Sequence, residues 1–88
     1  MIMRGKLESG FEYEIAEEVR DNMELLDAIV EAEENPLAVS KVVKMLLGED
    51  QRRRLYDHLR TEKGNVPILA VSNAVAEIFR GSEQAVKN

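Results

Sequence analysis

Pro36-Leu-Ala-Val-Ser-Lys-Val-Val-Lys-Met-Leu-Leu-Gly48 is the stretch around which the chain is organised. It carries helix punctuation at both ends. Asn35 suits the N-cap, Pro36 the first helical position, and Gly48 the residue just past the end. Between them Val39, Val42, Val43, Leu46 and Leu47 recur at helical spacing. Leu37, Ala38 and Met45 widen the stripe until only Ser40, Lys41 and Lys44 are left as a polar seam. A helix apolar over more than half its circumference needs more than one neighbour, so this segment reads as the central helix of a small bundle.

Outward from that helix, the preceding residues read as one long acidic helix over roughly 16–34. Ile15, Val19, Met23, Leu26 and Val30 form its predicted core stripe, with Leu25 and Ile29 at the margin. Glu31, Glu33 and Glu34 crowd its C-terminal end, where the helix dipole disfavours negative charge. A local rule broken without local gain marks either a functional surface or a solubility device. Upstream, Phe11, Tyr13 and Ile15 alternate with Glu12 and Glu14. That short pattern fits an extended lead-in, the preferred reading, or a helix onset. Residues 1–10, punctuated by Gly5, Ser9 and Gly10, read as a flexible N-terminus.

Beyond Gly48 a third helix is predicted through Asp50–Arg60, with a narrow stripe of Leu55, Tyr56 and Leu59. Lys63-Gly64-Asn65 is a turn. Val66 is biased to extended geometry by Pro67. A fourth helix follows from about Pro67 to Phe79, with Ile68, Val71, Val75, Ile78 and Phe79 inward, and Gly81 as its stop. The expectation is an all-α, compact four-helix domain over 11–80, with a short extended lead-in and flexible ends at 1–10 and 81–88.

Composition narrows the function classes. The chain has 88 residues, a net charge of −5 and no Cys. Disulfides and thiol chemistry are therefore excluded. No apolar run approaches the roughly 20 residues of a membrane span, and the N-terminus lacks the apolar run of a signal peptide. A cytoplasmic location follows by default. Residues 11–35 hold ten acids against one base, a net −9, whereas residues 36–80 hold eight bases against five acids, a net +3. The plain reading is a solvated acidic face balanced within the molecule. The sharper one is an acidic surface for a basic partner.

Catalytic signals are poor. His58 is the only His, and adjacent Asp57 points about 100° away on a helix, so the two form no ready dyad. Glu17, Glu18, Asp21 and Glu24 lack the spacing of a calcium loop. The glycines are terminators rather than a phosphate loop. No catalytic residue, cofactor or metal is expected. Arg52-Arg53-Arg54 invites a nucleic-acid reading, and the helices flanking Gly48 resemble a helix-turn-helix. Consecutive residues fan around a helix, however, and Glu49-Asp50 would meet the phosphates first. The arginines are expected to pair with the acidic first helix and solvent.

The ordered motifs carry one resemblance. They are Ser9-Gly10-Phe11-Glu12-Tyr13-Glu14-Ile15, Met23-Glu24-Leu25-Leu26 and Asn35-Pro36-Leu37, followed by Val42-Val43-Lys44-Met45-Leu46-Leu47-Gly48. Leu55-Tyr56-Asp57-His58-Leu59-Arg60 and Gly64-Asn65-Val66-Pro67-Ile68 come next, before a helix ending Ile78-Phe79. Over residues 9–80 the set resembles the small tail assembly chaperones of long-tailed phages and prophages of Gram-positive bacteria. The resemblance implies a mostly helical, non-enzymatic protein in the bacterial host cytoplasm. It implies transient, multi-copy binding to the long hydrophobic tape measure protein, and release as tail tube protein polymerises. It also implies a longer frameshifted product in many relatives. An Ala-rich fourth helix (Ala70, Ala74, Ala76) departs from that pattern. The family supplies no residue-level site. Leu25, Ile29 and Leu69, at the margins of the predicted stripes, are the expected partner-binding residues. A homo-oligomer is expected, with neither nucleic acid nor membrane as partner. The alternatives are a small helical DNA-binding regulator and a structural head–tail or tail component.

Overall fold

A computed structural model of the chain describes residues 1–87, with side chains through residue 81. Two strands come first, β1 (Ile2–Lys6) and β2 (Glu12–Ala16). The helices follow: α1 (Glu17–Arg20), α2 (Met23–Glu34), a 3-10 turn (Pro36–Ala38), α3 (Val39–Leu59) and α4 (Ile68–Lys87). No helix among the described residues is long and apolar enough to cross a membrane.

The expected all-α architecture is corrected by the hairpin. β1 and β2 pair antiparallel, Ile2 with Ala16 through Lys6 with Glu12. The N-terminus read as flexible therefore supplies a strand. The turn explains why. Gly10 N–H donates to the Leu7 carbonyl and Leu7 N–H to the Phe11 carbonyl, both at 2.8 Å. Gly10 sits at φ 101°. This is a three-residue hairpin loop with glycine in the left-handed position, a conformation that costs other residues. Alternation does the rest. Leu7, Phe11, Tyr13 and Ile15 point inward and are buried, while Arg4, Lys6, Glu12 and Glu14 point out.

The single long helix predicted over 16–34 is two helices. Asp21 and Asn22 interrupt it, and the Asn22 side chain accepts from Glu24 N–H at 3.0 Å as the N-cap of α2. Asn35 caps the next segment by accepting from Leu37 N–H, with Pro36 at its start. That is as the sequence predicts, except that the first turn is 3-10.

The central helix stands where expected, with Val42, Val43, Leu46 and Leu47 in the core. Gly48, at φ 77° and ψ 175°, breaks α3 into two arms. The second arm adds Leu55 to the core, and α4 adds Val71, Ala74, Val75 and Ile78. Gly81 does not stop α4, which continues to Lys87. The proposed tail at 82–88 otherwise lies outside the described side chains.

The hairpin is fastened to the helices by side chains. The Gln51 amide reaches the outer edge of β2, where Oε1 accepts from Glu14 N–H at 2.7 Å and Nε2 donates to the Glu14 carbonyl at 2.8 Å. Nε2 also donates to the Leu47 carbonyl at 2.9 Å. One glutamine thus stands in for a third strand at that residue. At the turn, Glu77 accepts from Glu8 N–H at 2.8 Å. His58 Nε2 lies 2.9 Å from Ser9 Oγ, with its ring 5.6 Å from that of Phe11.

Candidate partner-binding surface

The two faces of α2 set up the surface. Leu25, Ala28, Ile29 and Ala32 turn toward the core, and the two alanines let α3 approach closely. The residues predicted as the core stripe are on the other side: Met23 is 66% exposed, Leu26 45% and Val30 51%. The reason is the break at Asp21–Asn22. Ile15 belongs to β2 and Val19 to α1, so neither sets the phase of the helix that follows. At about 100° per residue, Met23, Leu26 and Val30 fall within an arc of about 60°, roughly opposite the buried face. They form a second apolar stripe, open to solvent.

Between α2, α3 and α4 lies an apolar groove of about 180 Å³. Ile29, Ala32 and Glu33 line it from α2, Val39 and Val42 form its floor, and Ser72, Val75, Ala76 and Phe79 line it from α4. A neighbouring groove, of about 270 Å³, shares Val39 and is lined by Leu37, Tyr56, Val66, Ile68 and Val71.

The three residues singled out from sequence separate here. Leu25 is 1% exposed and sits in the core, so it cannot reach a partner while the domain is folded. Ile29 is half-buried and lines the first groove. Leu69 is 70% exposed. It lies one turn before Ser72 on α4, outside the residues that line the groove. Of the three, Ile29 alone lines the groove. Sequence reasoning missed Met23, Leu26 and Val30 as surface residues. The signal that could have found them is that α2 carries two apolar stripes, whereas one neighbour covers one.

Electrostatics leave the α2 rim acidic. The ion pairs among the described residues are Arg4–Glu14, Arg52 and Arg53 with Glu49, and Arg60–Asp57. None involves an acid of α1 or α2, so the expected pairing of the arginine run with the first helix does not form. Instead Arg52 and Arg54 lie over the Tyr56 and Phe11 rings, 5.5 and 5.6 Å from their centroids. Among the described residues no cluster of His, Asp or Glu is placed to hold a metal ion. No protein-family model matches the chain, and neither a curated protein nor a solved structure matches it significantly.

Proposed function

We propose that this protein is a tail assembly chaperone that holds a hydrophobic helical client, the phage tape measure protein, transiently and in several copies. The observation that carries the reading is exposed apolar side chains on elements whose core faces are already satisfied. Met23, Leu26 and Val30 on α2, Leu37 on the 3-10 turn, and Ile68 and Leu69 on α4 are all open to solvent. A scattered exposed leucine needs no explanation, but several beside an apolar groove are the usual mark of an interaction surface. The motif resemblance over residues 9–80 supplies the identity of the client. The acidic α2 keeps such a surface soluble. The activity is binding and release in the host cytoplasm, without bond chemistry or a cofactor.

The test is co-expression with the tape measure gene expected next to this one. Wild-type protein should keep the tape measure soluble, and Leu37→Asp/Leu69→Asp should lose that ability while folding normally, since both side chains are exposed. A tape measure equally soluble with both proteins, or needing neither, overturns the reading. Retention of the protein in finished virions would make it a structural tail component instead.

A further inference from the structure

We infer that the groove between α2 and α4, together with the α2 outer stripe, is a helix-binding cleft selective for an amphipathic helix with basic residues along one flank. The inference rests on the helical-client reading above, but it concerns the chemistry of recognition and not the source of the client.

Three observations on the surface converge. First, the apolar lining does not end at the groove. Ile29, on its α2 rim, is three residues from Leu26 and so adjoins it on the helix surface, and Val30 and Met23 continue the stripe. A groove that runs on into an exposed stripe is the shape that accepts a helix through anchors at helical spacing. Secondly, the flanks of that stripe are anionic. At 100° per residue, Asp27 and Glu34 border it on one side and Glu33 on the other, all three exposed. None of the ion pairs among the described residues involves them. Thirdly, the opposite rim differs. On α4 the groove is bordered by Ser72 and Ala76, with exposed Arg80 next along the same face. A docked helix therefore meets acids on its α2 side and a neutral-to-basic rim on its α4 side. Charge of that arrangement fixes orientation and excludes wrong partners.

The same charges argue against a second copy as the occupant. Two α2 stripes face to face would bring Asp27, Glu33 and Glu34 of each chain together, and like charges juxtaposed at an interface are repulsive.

The experiment uses the full chain and two synthetic helices of about five turns. Both carry a leucine stripe; one has lysine along one flank of it and the other has glutamate at the same positions. Binding is measured by fluorescence anisotropy at near-physiological salt. The lysine helix should bind, and the glutamate helix should bind at least tenfold more weakly. Met23→Ser/Leu26→Ser/Val30→Ser, shown to be folded by circular dichroism, should weaken the lysine helix about tenfold or more, as expected for losing buried apolar side chains. Asp27→Lys/Glu34→Lys tests the flank independently and should reverse the preference between the two helices. Equal binding of the lysine helix by wild type and the serine variant would mean bulk charge attraction, and the cleft would be wrong. Indifference to the flank charges would overturn the selectivity. Wild-type dimerisation in sedimentation analysis that Leu26→Ser abolishes would assign the stripe to a second copy and overturn the proposal. If the lysine helix binds as described while the tape measure does not depend on the protein, the client identity fails and the cleft stands.

Discussion

Tyr13 shows how single residues fix this small fold. Its buried ring lies across Gly5 on the paired strand, where a Cβ would overlap the ring. A Cβ on Gly81 of α4 would come within 2.9 Å of its hydroxyl oxygen. Two glycines far apart in sequence are therefore one seat for one aromatic. Gly5→Ala should destabilise the domain by about 1–3 kcal/mol, the usual cost of forcing extra volume into a packed site, measurable by urea denaturation. Burial, with Glu77 nearby, holds the Tyr13 hydroxyl above its ordinary pKa of 10.0. The folded protein thus keeps this proton longer than the unfolded chain does. Its contribution to stability is complete below pH 10 and is lost as pH rises through the higher folded value. Tyr13→Phe should make the alkaline fall in Tm shallower in a pH series. A fall as steep as that of wild type would show that Tyr13 does not titrate across unfolding. Sequence alone made Gly5 look like a frayed terminus, because the ring that needs its empty space is eight positions away and is brought over it only by the hairpin.

At the scale of elements, what was legible is what local chemistry specifies. Asn35, Pro36 and Gly48 bracket the central helix as punctuation predicts, and Val42, Val43 and Leu46 are fully buried. Leu46→Ala should accordingly cost about 2–5 kcal/mol. The hairpin was half legible: Phe11, Tyr13 and Ile15 alternate, but β1 contains Gly5 and two charged residues and gives little signal without its partner. Glu8-Ser9-Gly10 just ahead of the alternating Phe11, Tyr13 and Ile15 was the missed cue. The phase of α2 differs from the sequence expectation because Asp21 and Asn22 interrupt the helix and the Asn22 cap starts it afresh. The Gln51 bridge was invisible, since a polar residue on an amphipathic helix gives no hint that a strand edge lies beside it. It now makes a sharp prediction. Gln51→Ala deletes both hydrogen bonds to the Glu14 backbone and should cost about 1–3 kcal/mol, with hydrogen exchange at the Glu14 amide accelerated beyond that at Ile15. Gln51→Glu should not restore stability, because a carboxylate cannot donate to the Glu14 carbonyl. The candidate surface was legible only in outline: Ile29 lines the groove, Leu69 is exposed on α4 outside its lining, and Leu25 is core.

For the whole molecule the question is why α2 tolerates its own charge. Glu31, Glu33 and Glu34 occupy its last turn, and no basic residue accompanies them there. Each opposes the helix dipole by about 0.3–1 kcal/mol at low ionic strength. Among the described residues none of the ion pairs offsets that cost. Such a defect marks either a surface in use or a solubility device, and the cleft beside Glu33 and Glu34 is the surface at which the charge would be used. Stability and binding should therefore respond in opposite directions to one substitution. Glu34→Lys places a cation at the negative end of α2 and relieves repulsion among its acids. It should stabilise the isolated protein by about 0.5–1.5 kcal/mol, raising Tm by several degrees. Wild-type Tm should rise as salt screens the acidic helix, and the variant should gain less from the same salt. The same variant should bind the leucine–lysine helix less tightly. A variant that is more stable and binds undiminished would show that the acidic end of α2 serves solubility alone. One that gains no stability would show that the terminal acids are not strained against the dipole, and their placement would need another cause.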